Sequence, residues 1–367
     1  MKKAVLCVLS ALMIFTGGCT NKSEHPEIIQ KEMQSLAFDN VIAIGIASNF
    51  MQALSIGDVE GMRSVSTPEL SDGLHVNLDD SIKVTGVRME ESTQKGIKGL
   101  YKYTVAKSKE GSTLSSLETY YLNVSKEDGE YRVSSCKSVP QYEVFKEGTQ
   151  LKMRKDDNVE INNVIKMRNV PNAAYSKSNK GDIDKLLVPT NDYGVVGISF
   201  TGQKVAATTV DANSVKSYIC LIDVDDAKAT IGQNTGQGGE SNGEEASTKE
   251  EQDDKDKLIG KKITTLDIYK DAKVANFMFS KDDAYVAVNY DTVNGVRRFK
   301  FYQSRGDLVD LKLEETFNED EYNLVYKDCK DNYVYFEVTG VKRATEVVQN
   351  LIGSYKISTK DFKLTKL

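Results

Sequence analysis

Residues 276–290 read NFMFSKDDAYVAVNY, and their pattern sets the architecture of most of the chain. The run up to Phe279 ends on an aromatic, a polar turn follows over Ser280 to Asp283, and a second apolar run starts at Tyr285. Alternating runs on either side of a short polar turn make a β-hairpin. The same order returns at residues 197–210, GISFTGQKVAATTV, and at residues 323–338, NLVYKDCKDNYVYFEV. Each copy is followed, after a polar loop, by another alternating strand, at 218–224, 298–303 and 353–358. Phe279 and Tyr326 stand 47 residues apart, near the ~40 to 50 residues of a propeller blade. Phe200 and Phe279 stand 79 apart, and the excess matches residues 232–257, GQNTGQGGESNGEEASTKEEQDDKDK. That insert is nearly free of apolar side chains, so burial cannot offset its ordering entropy and disorder is expected. Its acids lack the alternation and the closing Glu of a calcium loop.

Towards the N-terminus the pattern changes. Ile82 and Val84 share one face, Gly86 permits a bulge, and Val87 and Met89 resume after a one-residue slip. Tyr101, Tyr103 and Val105 alternate in the next strand, and Tyr120, Leu122 and Val124 in the one after. Asp128-Gly129 then turns the chain into Tyr131-Arg132-Val133, a strong hairpin signal. Earlier still the period is helical. Ile42, Ile46, Phe50 and Leu54 recur every four residues, Gly57 can stop that helix, Asp58 can cap the next, and Thr67-Pro68-Glu69 opens a third. Before them, residues 20–39 form a tether and a short helix carrying Ile29, Met33 and Leu36. Helices followed by hairpin-linked strands indicate an α+β unit, and Pro140 is read as its end.

Two resemblances bear on these regions. FMQALSIGDVEGMRSVSTPEL, residues 50–70, resembles the opening helices of nuclear transport factor two-like (cystatin-like cone) domains, and YYLNVSKEDGEYRVSSC, residues 120–136, resembles their closing hairpin, with Tyr131 where Trp is commoner. Phe279, Ser280, Asp282, Val286 and Ala287 match the F-S-x-D-x-x-x-V-A pattern of TolB-like β-propellers. The resemblances imply an α+β N-terminal cone domain over residues 40–139 and an all-β repeat domain over residues 140–367. The latter would be a small or incomplete propeller, with a β-sandwich as the alternative, because only three or four blade equivalents fit. A cone implies an internal pocket, for which Tyr101, Tyr103, Tyr120 and His75 are the lining candidates.

The first nineteen residues have the three parts of an export signal: Lys2 and Lys3, an apolar core too short to span a bilayer, and small residues leading into Cys19. Thr16-Gly17-Gly18-Cys19 resembles a bacterial lipobox, with Thr16 where Leu is usual. That resemblance implies lipid attachment at Cys19, cleavage before it, and a protein tethered to the cell membrane on its extracytoplasmic face. A lysine-rich chain without Trp leans towards a Gram-positive source. Cys136, Cys220 and Cys329 remain, widely spaced, and read as buried small hydrophobes, with one bridged pair as the alternative.

Composition narrows the function. A net charge of −6 with no basic face argues against nucleic acid. Only His25 and His75 are present, which leaves little room for histidine catalysis or histidine metal sites. Nucleophile elbow, phosphate loop and dinucleotide fingerprint are all missing, so no catalytic residue, metal or cofactor is assigned. The expected function is a membrane-anchored, non-enzymatic binding or scaffold module for a cell-envelope protein or glycan. The alternative is an enzyme or small-ligand receptor using the cone pocket. A transporter's solute-binding protein is disfavoured, since helices are confined to the N-terminal part.

Overall fold

Among the described residues, hydrophobic alternation builds four large antiparallel sheets in chain order, with a two-stranded pair between the first and the second. The computed structural model describes residues 38–74, 81–156, 161–179, 181, 184–213, 215–225, 258–341 and 349–367. The export signal with Cys19, nearly all of the tether, His75 and the 232–257 insert lie outside the described residues. Asp39–Leu367 forms one compact unit.

The described residues begin with three helices: α1 (Asn40–Ile56), α2 (Val59–Ser64) and α3 (Pro68–Gly73). Their ends obey local chemistry. The Asp39 side chain accepts from the Val41 N–H at 2.8 Å, so Asp39-Asn40 starts α1. Gly57 closes the helix at φ 73, in the left-handed region, and Asp58 caps α2 through the Gly61 N–H at 2.9 Å. The buried stripe of α1 is Ala43, Ala47, Phe50 and Met51, whereas Ile42 is 49% exposed. The expected Ile42–Ile46 stripe is thus rotated by one position, because the small alanines let the helix backbone come close to the sheet beneath.

That sheet has six strands in meander order: β1 (Ile82–Lys95), β2 (Lys98–Lys109), β3 (Leu114–Glu127), β4 (Glu130–Glu147), β5 (Gln150–Lys155) and β6 (Ile161–Lys166). The β1 register slips between Val84 and Gly86, at the anticipated bulge. Asp128 at φ 51 and Gly129 at φ 85 form the two-residue turn between β3 and β4, a conformation suited to the twist of a hairpin. Pro140, read as a boundary, stands inside β4 opposite Glu118, beside a register shift, where a strand tolerates a residue with no N–H. The first sheet therefore continues to Lys166.

After the short pair β7 (Ala173–Ala174) and β8 (Leu186–Leu187) come three four-stranded meanders. The first is β9 (Asp192–Ile198), β10 (Lys204–Val210), β11 (Ser217–Val224) and β12 (Gly260–Tyr269). The second is β13 (Ala272–Phe279), β14 (Tyr285–Thr292), β15 (Arg297–Gln303) and β16 (Leu308–Val309). The third is β17 (Tyr322–Lys330), β18 (Tyr333–Gly340), β19 (Gly353–Ser358) and β20 (Leu364–Lys366). Each sequence repeat supplies the first three strands of one meander.

Three cores lie between the four sheets. Ala106, Leu117 and Val144 of the first sheet pack with Val205, Tyr218 and Ile222 of the second. Ala206, Ile219 and Leu221, on the other face of those strands, pack with Val286, Val288 and Tyr302 of the third. Phe299 and Phe301 then meet Tyr326, Val334 and Phe336 of the fourth. A strand buried on both faces needs apolar residues at nearly every position, which accounts for the unbroken run in β11. On β18, Tyr333, Tyr335 and Glu337 alternate with the buried set and remain half-buried, so the row ends there. Among the described residues the first sheet meets the second through β2, β3 and β4 on β9 and the third through β1 on β13, while the last sheet packs on the third through β17 on β14 and β15.

Polar clamps join neighbouring sheets. In the first turn Ser199 Oγ accepts the Lys204 N–H at 3.1 Å, and in the second Ser280 Oγ accepts the Tyr285 N–H at 2.9 Å. Both turns then need a left-handed residue: Gly202 at φ 72 in one, Asp283 at φ 56 in the other. Asp283 reaches back, and its two carboxylate oxygens accept the Phe200 and Thr201 N–H groups, each at 2.8 Å. Arg298 extends the lacing forward, donating to the carbonyls of Phe317 and Tyr322 at 3.2 Å.

Candidate ligand-binding site

The two faces of the first sheet have different tasks. Ala106 and Leu117 point into the core shared with the next sheet. Tyr101, Tyr103 and Val105 alternate with that face and lie buried on the side that carries α1. Tyr101 donates its hydroxyl hydrogen to Asn40 Oδ1 at 2.8 Å, and the Tyr103 hydroxyl lies 3.5 Å from Ser48 Oγ. Burial pushes the Tyr101 phenol up to about 12. Burial also raises Tyr103, with Ser48 pulling the other way. Both tyrosines are wall material between helix and sheet, and Phe50 and Met62 of the helices are likewise buried.

Past the end of the helix the same face opens into a cavity of about 360 Å³. The next residue in the alternating row of β2 is Lys107, 8% exposed where a core residue would be expected. Its ammonium donates to Glu118 Oε2 at 2.7 Å and to the Tyr120 hydroxyl at 2.9 Å, and stands over the Tyr120 ring, 5.2 Å from the centroid. Tyr120 therefore stands behind Lys107, which lines the cavity, and is tied to it through its hydroxyl. Glu118 is further held by the Ser116 hydroxyl, which donates to Oε1 at 3.3 Å.

A row of polar side chains crosses the sheet from there. Lys107 is in register with Ser116, Ser116 with Glu143, and Glu143 with Arg154, so four adjacent strands place cation, hydroxyl, anion and cation side by side, ~4.8 Å from strand to strand. Arg154 Nη1 donates to Glu143 Oε2 at 3.2 Å, and its guanidinium also lies over the Phe145 ring at 5.5 Å. The two ion pairs differ in depth. Lys107 and Glu118 have side chains 11% and 18% exposed, against 41% and 38% for Arg154 and Glu143. Ile82, Leu114, Pro140 and Tyr142 supply apolar wall. Tyr142 is backed by Gly202 of the next sheet, where an added Cβ would come within 2.5 Å of Cε2, so packing between the sheets fixes that side of the cavity.

Electrostatics keep the buried titratable groups protonated. Burial alone would lower Lys107, but Tyr120 and Glu118 outweigh it and the ammonium is held above its ordinary value. Burial raises Tyr120, against the pull of Lys107. Burial likewise pushes the nearby Cys136 thiol up to about 11, again against Lys107. Among the described residues no group of three or more His, Cys, Asp or Glu side chains could hold a metal ion. Cys136, Cys220 and Cys329 are free thiols.

Of the sequence candidates, then, none lines the cavity among the described residues: Tyr101 and Tyr103 are buried away from it, Tyr120 touches only Lys107 at its edge, and His75 lies outside the described residues. Lys107, Glu118, Glu143 and Arg154 were not among the candidates. The available signal was a lysine continuing the Tyr101-Tyr103-Val105 alternation at a position that ought to be apolar.

No protein-family model and no curated protein matches the chain. Among solved structures, prolyl oligopeptidase B from Galerina marginata, bound to a 35mer substrate, is similar with a TM-score of 0.26 and 11% identity, over 79% of this chain and 42% of that one. TolB from Acinetobacter baumannii is similar with a TM-score of 0.24 and 8% identity, over 65% of this chain and 57% of that one. A prolyl endopeptidase structure is similar at 0.25 and 8% identity, over 93% and 54%. The chain spans about half the length of these structures. The repeat region itself consists of three consecutive four-stranded antiparallel meanders, the strand count of propeller blades.

Proposed function

We propose that the protein is a non-enzymatic binding module held at the extracytoplasmic face of the cell membrane by a lipid on Cys19, where it engages a component of the cell envelope, protein or glycan. In this reading the first sheet with its helices is a cone of the nuclear transport factor two-like type, and the three meanders are a short TolB-like propeller packed against it. The observation that supports binding over catalysis is the state of the groups around the cavity. A general base or an activated nucleophile must give up its proton near neutral pH. Lys107, Tyr120 and Cys136 are all tuned the opposite way. What faces the cavity is a set of fixed charges and hydroxyls, suited to recognition.

Two experiments test the proposal. A photo-crosslinking residue in place of Leu114, in living cells, is expected to capture a reproducible envelope component. Recovery of nothing reproducible, or turnover of the captured species by purified protein, would remove the reading. The Cys19→Ser variant is expected to lose fatty-acid labelling and be released from the membrane while its unfolding curve is unchanged; labelling that persists would refute the anchor.

A further inference from the structure

The charges at the cavity carry more information than its volume. Two ion pairs stand within the lining, Lys107 with Glu118 and Arg154 with Glu143, and Lys109 and Asp156 complete its charged groups. A ligand with one net charge could pair with one of these groups only by displacing its partner, and would leave that partner unmatched. At the deep Lys107–Glu118 pair that loss is costly, because little water reaches the charge left behind, and at the half-exposed Arg154–Glu143 pair it leaves one charge with water alone. A ligand bearing one positive and one negative group avoids the problem, because it converts one internal pair into two pairs with itself.

The structure also says which pair opens. Lys107 is buried and Glu118 only partly exposed, and their ends are tied by Tyr120 and Ser116. Arg154 and Glu143 are the half-exposed pair, a kind of contact that contributes only about 0 to 1 kcal/mol and so is readily exchanged. Arg154 would keep its place when Glu143 swings away, since Phe145 lies under its guanidinium. Glu143 and Arg154 stand on neighbouring strands. A ligand bridging them needs its opposite charges within about one or two strand spacings, ~5–10 Å. Ile82, Leu114 and Pro140 offer apolar contact to whatever lies between.

From this geometry we infer that the cavity takes a compact zwitterion, an amino acid or short peptide with free ammonium and carboxylate, whose carboxylate pairs with Arg154 and whose ammonium pairs with Glu143. The inference rests on the reading of the cavity as a binding site and adds the class of ligand. Calorimetric titration of the full-length protein in detergent tests it with three probes: glycylglycine, acetylglycine, which lacks the ammonium, and glycinamide, which lacks the carboxylate. Glycylglycine is expected to bind, and each blocked probe to bind at least about tenfold more weakly. Glu143→Gln and Arg154→Met are each expected to weaken glycylglycine by about tenfold, with thermal unfolding of both variants confirming that they fold. Equal binding of a blocked probe, indifference to both substitutions, or no binding of any probe at about 10 mM would overturn the inference. The crosslink at Leu114 reports occupancy whatever the ligand's charge. Capture of an envelope component there, without glycylglycine binding, would leave the binding reading standing and remove the zwitterion alone.

Discussion

Asp283 ties the second meander of the repeat region to the first, and replacing it should loosen the row at that seam. Its carboxylate accepts the N–H groups of Phe200 and Thr201, both at 2.8 Å, and it is 9% exposed. A hydrogen bond to a charged group contributes ~1.5–3 kcal/mol, and a buried donor left unpaired adds to the loss. One carboxylate serves both bonds, so Asp283→Gly should destabilise by about 2–4 kcal/mol. Glycine is the informative choice, because position 283 has φ 56 and the equivalent position in the preceding turn is already Gly202 at φ 72. Asp283→Ala should lose about 1–2 kcal/mol more, since a Cβ is strained in the left-handed region. Asp283→Asn tolerates that conformation and keeps one acceptor oxygen, and should lose about half as much as Gly, ~1–2 kcal/mol. Urea unfolding at neutral pH, followed by far-ultraviolet circular dichroism, measures all three, with the midpoint shifting and the slope unchanged. A loss below about 0.5 kcal/mol for Asp283→Gly, the range of ordinary surface changes, would refute the clamp. So would Asp283→Asn proving as damaging as Asp283→Ala.

Two further predictions concern buried groups. Arg298 is 2% exposed and donates to the carbonyls of Phe317 and Tyr322, so Arg298→Met should leave two buried acceptors unpaired and cost about 2–4 kcal/mol. In hydrogen exchange the loss should fall on β17 to β19 before β9 to β11, and uniform loss would argue against a role at that seam. Burial pushes the Cys136 thiol from 9.0 up to about 11, and Cys220 and Cys329 each up to about 12. Because the folded state holds these protons more tightly than the unfolded state, the thiols leave stability intact below pH 9 and withdraw it as pH rises through their folded values. Iodoacetamide at pH ~8 should therefore leave the native protein unlabelled, and rapid alkylation of any of the three would contradict the burial. Cys136 should react first as the pH is raised.

Much of the local structure was legible because it depends on neighbours in sequence. Thr67-Pro68 starts α3, Asp128-Gly129 turns a hairpin, and Gly86 marks a bulge, each through the conformational preference of one or two residues. The repeat was legible too, since three copies of one strand grammar became three meanders. The fourth strands of the second and third meanders were harder to see. The β16 strand has 2 residues and β20 has 3, too few for a period to register. The site was less visible. Tyr101 and Tyr103 stood out as aromatic, yet the depth of α1 across the sheet decided that they would be buried. The working charges come from four strands, and only the register places Lys107, Ser116, Glu143 and Arg154 in a line.

By itself the sequence determined the order of the elements, the caps and turns between them, and the alternation that makes each strand amphipathic or apolar on both sides. All of these rest on interactions spanning a few residues, where backbone sterics and side-chain periodicity suffice. Tertiary structure alone decided that the first sheet runs through Pro140 and shares a core with the repeats, that Asp283 rather than its neighbour Asp282 clamps two sheets together, and where the helix stops and the cavity begins. Asp282 and Asp283 differ by one position in the same turn: the first accepts from Ser280 Oγ at 2.6 Å and from the Ala284 N–H, while the second reaches across to Phe200 and Thr201. Nothing local separates two adjacent aspartates. The separation comes from the direction each side chain takes once the sheets have stacked, because a carboxylate can be a clamp only where another backbone comes within hydrogen-bond reach.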